Sequence, residues 1–138
     1  MVSKLNPYIS FNGTTREAME FYKSVFGGEL TMTTFGDAGM SGNGVEPDHI
    51  MHAQLVAESG ITLMSADAAT GMREFIAGTN MSISLSGDNE EELTGYYNKL
   101  AAGGKVEQPL TKAQWGDTFG MCIDKFGTFW MVNIANSK

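Results

Sequence analysis

The hydrophobic positions of this chain follow two periodicities, and both occur twice in the same order. A short strand-like stretch, "ISFNG" at residues 9–13, precedes a segment whose apolar residues recur at helical spacing, and "ISLSG" at Ile83–Gly87 precedes another. The two apolar stripes comprise Ala18, Phe21, Tyr22, Val25 and Phe26 in the first segment, and Leu93, Tyr96, Tyr97, Leu100 and Ala101 in the second. A pair of glycines follows each stripe, which is typical of a helix end. The pattern predicts a strand and an amphipathic helix, present in two copies.

Each predicted helix also begins with the residues of a capping box, Thr14 with Glu17 and Asp88 with Glu91. Three strand-like runs follow each helix; these are residues 29–35, 49–57 and 61–66 in the first half, and 105–110, 118–124 and 128–135 in the second. The order βαβββ therefore occurs twice. We predict one domain over residues 1–138, built of two modules at about 5–66 and 80–136, with a linker at 67–79.

A four-stranded sheet with a single helix leaves one of its faces uncovered, and in this chain the second module can supply the missing cover. The expected fold is α+β, with two βαβββ modules forming paired curved sheets and with the helices outside. The concave space between the sheets is then the expected ligand pocket.

Four stretches of the sequence resemble the vicinal oxygen chelate superfamily, which includes glyoxalase I, bleomycin-resistance proteins and extradiol dioxygenases. They are "PYISFNGTTREAMEFYKSVFGGEL" (7–30), "IMHAQL" (50–55), "LMSAD" (63–67) and "WGDTFGMCIDKFGTFWMVN" (115–133). Within the superfamily they are most similar to the PhnB-like group. The resemblance implies the paired βαβββ fold and a homodimer. Some such proteins carry a ubiquinone methyltransferase label, but the sequence has no Gly-rich nucleotide-binding turn between a strand and a helix to support that chemistry.

Composition narrows the possible partners. The net charge is −7, and there is no cluster of Lys and Arg, so we expect no nucleic-acid partner. No apolar run is long enough to cross a bilayer, and the first residues lack the apolar core of a secretory signal. Cys122 is the single cysteine, which fits a reducing compartment. We therefore expect a cytoplasmic protein without a membrane partner.

Metal-dependent members of the superfamily carry a His, Gln or Glu ligand on the first and last strand of each module. The resemblance puts these positions at Pro7 or Tyr8, Met64, Ser82 and Met131. Proline has no ligating side chain, thioethers suit Cu(I) rather than Mg, Mn, Fe or Zn, and one hydroxyl does not hold an ion. We expect neither a metal nor another cofactor.

Strand alternation predicts which side chains face the pocket. On the strand that includes "ISLSG", Ser82 and Ser84 should face it, while Met81, Ile83 and Leu85 should face the helix. The predicted ligand-binding residues are Gln54, Met64, Ser82, Ser84, Trp115, Asp117, Phe129, Met131 and Asn133. Such a lining suits a small, partly apolar organic molecule. The alternative for Met64 and Met131 is that they only fill space.

His52 is the candidate catalytic residue. His49 and His52 are three positions apart, so alternation sends them to opposite faces of one strand, and they should not share a metal. His52, together with Ile50 and Gln54, is expected to face the pocket, where a neutral imidazole can act as a general acid or base. The competing interpretation is a hydrogen-bonded structural histidine, so whether the protein is an enzyme stays open.

Three other residues have both a chemical and a structural interpretation. Trp115 either stacks on a ligand or packs on a partner subunit or loop. Asp117 either accepts a hydrogen bond from the ligand or caps a turn. Cys122 is either a nucleophile or a buried, inert thiol, and its apolar strand without a nearby base favours the inert thiol.

These observations leave three functional hypotheses. The first is a PhnB-like protein that binds a small organic ligand without a metal. The second is a glyoxalase- or dioxygenase-type metalloenzyme with displaced ligands, such as His52, Gln54 or Glu107. The third is a drug-sequestering protein of the bleomycin-resistance type, with which the acidic net charge is compatible.

Overall fold

The computed structural model describes residues 3–40, 42, 45–68 and 75–136. The chain divides into two compact units, with the boundary between Ala77 and Gly78. Each unit contains one four-stranded sheet and one α-helix.

The first unit has the order βαβββ. Its elements are β1 (Tyr8–Phe11), α1 (Thr15–Phe26), β2 (Glu29–Thr34), β3 (Ile50–Val56) and β4 (Thr62–Asp67). The strand order in the sheet is β1-β4-β3-β2, with β1 and β4 parallel and the other pairs antiparallel.

The second unit repeats this plan. Its elements are β5 (Ile83–Gly87), α2 (Glu90–Ala101), β6 (Lys105–Lys112), β7 (Thr118–Ile123) and β8 (Phe129–Ile134). The sheet order is β5-β8-β7-β6, again with one parallel pair, β5 and β8. The predicted α+β fold with two βαβββ modules is confirmed.

In each unit the helix packs on one face of the sheet and makes the core there. The helix α1 contacts β2, β3 and β4, and α2 contacts all four strands of its own sheet. The buried residues of α1 are Thr15, Ala18, Met19, Tyr22, Val25 and Phe26, and those of α2 are Leu93, Tyr97 and Leu100. Met19 was not in the predicted stripe, whereas Phe21, which was, is only half-buried.

Tyr97 fixes α2 to the second sheet. Its hydroxyl lies 2.8 Å from the Gln108 carbonyl on β6 and 3.2 Å from the Met121 carbonyl on β7, and it donates to them. The ring needs the glycine at position 120, because a Cβ there would lie 3.0 Å from Tyr97 Cε1. The small residue and the tyrosine together set how closely α2 approaches β7.

The start of α1 is capped by a residue distant in sequence rather than by the predicted box. Thr14 occupies the N-cap position, but its side chain makes no capping hydrogen bond. Instead, Asp67 Oδ1 accepts hydrogen bonds from the backbone N–H groups of Gly13 and Thr15, each at 3.0 Å. Its Oδ2 accepts from the Ile50 N–H at 2.8 Å. The buried carboxylate thus joins the β1–α1 turn, the start of α1 and the start of β3.

The end of β4 and the start of α2 differ from the sequence prediction by one residue each. Asp67 is the last residue of β4 and not the first residue of a linker. The N-cap of α2 is Asn89 and not Asp88, because the Asn89 side chain accepts a hydrogen bond from the Glu92 N–H at 3.0 Å. Both Asp and Asn are favourable at this position, so residue type alone did not distinguish them.

We predict that Asp67→Asn lowers the free energy of unfolding by about 2 kcal/mol. A carboxamide has one acceptor oxygen, so its NH₂ group would face at least one of the three buried N–H donors. Urea unfolding followed by circular dichroism measures the change. Asp37→Asn, at an exposed carboxylate that bonds only within its own turn, is the matched control. Equal stability of the two variants would contradict the role given to Asp67.

Candidate functional site

The face of each sheet that points away from its helix carries most of the residues predicted to bind a ligand. On β4, Leu63, Ser65 and Asp67 are buried towards α1, whereas Met64 alternates with them and is half-buried. On β8, the buried residues are Trp130, Val132 and Ile134, and the half-buried ones are Phe129, Met131 and Asn133. We call the two surfaces opposite the helices the helix-free faces.

The helix-free face of the first sheet is lined by uncharged polar and thioether side chains. Met64 lies in register with Tyr8 on one side and with Gln54 on the other, and Gln54 pairs with Thr31 on β2. Two residues away along the same two strands, His52 pairs with Thr33. The face therefore offers hydroxyl, amide and imidazole groups around one methionine.

A bulge corrects part of the predicted alternation on β3. The register between β2 and β3 shifts between Thr33, which pairs with His52, and Thr34, which pairs with Ile50. Met51 is the additional residue. Ile50 is therefore buried, as are Ala53 and Leu55, and the prediction that it shares a face with His52 was wrong.

The two histidines lie in different surroundings. His49 precedes β3 instead of lying on it, and its ring packs beside Gly13, where an added Cβ would be 3.3 Å from His49 Cε1. His52 lies within β3, with its Nδ1 3.4 Å from the Tyr8 hydroxyl. The ring centroids of Tyr8 and His52 are 5.9 Å apart, and the rings are tilted by 42° to each other. Tyr8 thus supplies the orienting partner for His52 that the sequence did not reveal.

Of the two serines that were expected to face the pocket, only Ser84 lies on β5. The strand β5 begins at Ile83, so Ser82 precedes it and is exposed. Met81 also precedes β5 and is 77% exposed, so it does not pack against the helix as predicted. The strand neighbour of Met131 is Ser84.

Trp115, Asp117 and Asn133, all predicted as ligand-binding residues, form one hydrogen-bonded group. Asn133 donates from Nδ2 to Asp117 Oδ2 at 3.0 Å and accepts at Oδ1 from Trp115 Nε1 at 3.4 Å. Asp117 Oδ1 accepts from the Asn136 N–H at 3.0 Å. The Trp115 ring also makes an edge contact with Phe119 at 5.9 Å between centroids. Asn133 therefore connects the carboxylate to the indole and fixes both.

These contacts set the charge and the exposure of the group. The hydrogen bond from Asn133 and, after it, that from the Asn136 backbone hold the pKa of Asp117 below its ordinary value. Trp115 is 64% exposed although its Nε1 is bonded, so the face of its ring is open to solvent. The arrangement can stack a planar group beside a carboxylate that stays ionised.

Cys122 has the properties of an inert thiol. It is buried on β7, and burial, followed by the negative charges of Asp124 and Glu107, raises its pKa to about 11. The thiolate that would act as a nucleophile is therefore scarce at neutral pH.

The side chains at the superfamily's metal positions do not fit a divalent ion. Tyr8 and Met64 are direct neighbours on β1 and β4, and they offer a phenol and a thioether. Ser82, the third of these positions, precedes β5, and the strand neighbour of Met131 is Ser84; either serine offers only a hydroxyl beside the Met131 thioether. Within residues 3–40, 42, 45–68 and 75–136, no group of three or more His, Cys, Asp or Glu could hold a metal ion. Divalent Mg, Mn, Fe and Zn are held in proteins by carboxylates, imidazoles or thiolates.

Sequence reasoning missed Tyr8 and the threonines of β2 as residues of the helix-free face. Tyr8 was considered only as a lost metal ligand, although it alternates with Ile9 and so belongs on the same face as Met64. Thr31 and Thr33 alternate with Leu30 and Met32 along β2. The period-two pattern was available for both strands.

Known proteins share this architecture. A family model described as 3-demethylubiquinone-9 3-methyltransferase matches residues 3–133. The chain is 38% identical to protein PA1353 from Pseudomonas aeruginosa, with a TM-score of 0.87 and coverage of 99% of this chain and 100% of that one. It is 27% identical to the PhnB protein from Bacillus cereus, with a TM-score of 0.75 and coverage of 96% and 100%. A glyoxalase-related enzyme from Fulvimarina pelagi, 16% identical with a TM-score of 0.63 and coverage of 97% and 89%, shares the fold alone.

The fold is that of the vicinal oxygen chelate superfamily. Within it, the chain belongs to the PhnB-like family, whose model carries the methyltransferase description. Neither α1 nor α2, nor any other helix in the described part of the chain, is long and apolar enough to cross a membrane.

We predict that Asp117→Ala frees the Trp115 ring, because Asn133 then loses the acceptor that orients it. Acrylamide quenching of tryptophan fluorescence should increase; Trp130 is buried, so the quencher reports mainly on Trp115. The exposed Asp88 provides the control variant, Asp88→Ala. Since the folded state lowers the pKa of Asp117, the wild-type contacts should persist as the pH falls to the ordinary value of 3.8 and be lost only below it. Unchanged quenching in Asp117→Ala would contradict the positioning of Trp115.

Proposed function

We propose that this PhnB-like protein binds a small, partly apolar organic molecule through the helix-free faces of its sheets, without a divalent metal ion. The observation that carries the proposal is the chemistry of these faces. Each combines a methionine at its centre, Met64 or Met131, with aromatic and uncharged hydrogen-bonding side chains. Ligand sites commonly have this composition, with apolar surface for contact and a few polar groups for orientation.

The methionines support a ligand that is apolar in part. A thioether side chain has three rotatable bonds and a polarisable sulfur, so it adapts to irregular shapes. Met64 and Met131 lie on the inner strands of their sheets, where both neighbouring strands limit how far they can move. A methionine that only completes a core would instead face the helix, as Met19 on α1 faces the first sheet.

The Trp115 group supports a planar portion in the ligand. The indole is open on its face, and hydrogen bonding through Asn133 and the contact with Phe119 hold it in place. An aromatic ring that is fixed before binding loses little conformational entropy when a ligand stacks on it. The carboxylate of Asp117 adds an acceptor for a donor group of the ligand.

The donor sets favour the metal-free function over the metalloenzyme. Of the proposed displaced ligands, His52 and Gln54 share the helix-free face of β3, but an amide and one imidazole make a weak pair. Glu107 lies on the exposed edge strand β6, where the register with β7 shifts. No third imidazole or carboxylate completes such a set among the described residues.

A thermal-shift screen with three probe classes tests the proposal. The probes are menadione as a quinone, the hemithioacetal of methylglyoxal and glutathione, and bleomycin. A compound that binds the folded state raises the melting temperature by mass action. We expect menadione or the hemithioacetal to stabilise the protein equally well before and after treatment with EDTA. Stabilisation by bleomycin alone would indicate the drug-sequestering function instead.

We predict that Met64→Ala and Met131→Ala each weaken binding of the stabilising probe about tenfold, which corresponds to about 1.4 kcal/mol of lost contact. Isothermal titration calorimetry measures the dissociation constants. Met40→Ala is the matched control, because Met40 is an exposed methionine outside the strands.

Two results would contradict this function. One is a stoichiometric divalent ion in the purified protein by mass spectrometry, combined with loss of binding after EDTA. The other is equal affinity in the three methionine variants, which would place the ligand away from the helix-free faces.

A further inference from the structure

We propose that Tyr8 and His52 act as one hydrogen-bonding unit, in which the tyrosine hydroxyl donates to Nδ1 and His52 presents its Nε2–H to a carbonyl or carboxylate oxygen of the ligand. The inference rests on the proposed function, since it assumes that a ligand occupies the helix-free face of the first sheet. It adds Tyr8 as a positioning residue and an oxygen acceptor as the ligand group that this face recognises.

The geometry requires Tyr8 to reach across a strand. Tyr8 is on β1 and His52 is on β3, with β4 between them and an offset of two residues along the strands, so their backbones are about 12 Å apart. The hydroxyl nevertheless lies 3.4 Å from Nδ1, so the tyrosine side chain extends over β4.

A small residue on β4 leaves space for this contact. Ala53 pairs with Ser65, which puts His52 level with Ala66. On the other side, Ala66 pairs with Ser10, two residues beyond Tyr8 on β1. The methyl group of Ala66 is the only side chain that β4 places at this level, and it is too short to separate the two rings.

The chemistry of the two groups determines the direction of the hydrogen bond. A neutral imidazole has one nitrogen that donates and one that accepts. A phenol O–H is the stronger donor of the pair, and an imidazole nitrogen is the stronger acceptor. When Tyr8 donates to Nδ1, the ring proton is on Nε2, and Nε2–H is the group left for a ligand.

The neighbours of the pair are consistent with recognition of a neutral or anionic oxygen. Thr33 is the strand neighbour of His52, Ser10 is next to Ala66, and Gln54 is two residues further along β3. These side chains are uncharged hydrogen-bonding groups. A single neutral hydrogen bond contributes about 1 kcal/mol, so a carbonyl should bind about fivefold more tightly than a matched hydrocarbon.

The tautomer of His52 tests the pair without any ligand. In protein labelled with ¹⁵N-histidine, at mildly alkaline pH, we expect Nδ1 of His52 to have the chemical shift of an unprotonated nitrogen and Nε2 that of a protonated one. Tyr8→Phe should move the Nδ1 shift of His52 and leave both nitrogens of His49 unchanged. A protonated Nδ1 in the wild type, or identical His52 signals in Tyr8→Phe, would overturn the pair.

A matched pair of probes tests the recognised group. Acetophenone and ethylbenzene differ in one carbonyl oxygen, and we expect the wild type to prefer acetophenone about fivefold. Tyr8→Phe and His52→Ala should lose this preference, so that each variant binds the two probes with equal affinity, and His49→Ala should keep the preference. Equal binding of both probes by the wild type would overturn the recognition of an oxygen acceptor. Failure of both to bind would overturn the proposed function at this face, and the nitrogen shifts would still decide the pair.

Discussion

Each four-stranded sheet of this protein has one helix, and one helix can cover only one of the two faces of a sheet. This constraint determines which side chains form the core and which remain for chemistry. Towards the helices lie large apolar residues, such as Leu63 and Trp130. On the opposite faces, the same strands carry Met64 and Met131, and hydroxyl, amide and imidazole groups lie on these or on neighbouring strands. The helix-free faces, where we propose that the ligand binds, are thus a consequence of the βαβββ plan.

The two units share this plan but differ in the buried carboxylates that stabilise them. Asp67 joins a turn, a helix and a strand of the first unit. In the second unit, Asp124 Oδ1 accepts hydrogen bonds from the Phe126 and Thr128 N–H groups, and its Oδ2 accepts from Trp130 Nε1 at 2.8 Å. Asp124 therefore holds the β7–β8 hairpin and the largest core side chain together. The helix-free faces of the two units also differ. The first carries the Tyr8–His52 pair, and the second carries the Trp115 group.

The sequence predicted the features that depend on local periodicity. All eight strands and both helices were expected close to where they occur, although the predicted strand around "ISLSG" also included Met81 and Ser82, which precede β5. Alternation along β8 also separated Met131 from the buried Trp130 as expected. These features depend on neighbours within a few residues, and hydrophobic spacing encodes them directly.

The features that escaped prediction depend on contacts between distant positions. Asp67 caps a turn 54 residues earlier in the chain, and His52 meets a tyrosine 44 residues away. The bulge at Met51 comes from the pairing of two strands, which the pattern of one strand does not contain. The sequence predicted the sheet face on which Asn133 lies, but its hydrogen bonds to Trp115 and Asp117 could be found only from the fold. Periodicity gives the face on which a side chain lies, and tertiary structure gives its partner.

Methionine methyl resonances test the central claim most directly, because the chain has methionines both on the helix-free faces and away from them. In protein labelled with ¹³C-methyl methionine, the account predicts that a stabilising organic probe shifts the signals of Met64 and Met131. The signals of Met19, in the core, and Met40, at an exposed position outside the strands, should stay in place. Shifts confined to Met40, or shifts of Met64 and Met131 on addition of a divalent metal ion alone, would contradict it.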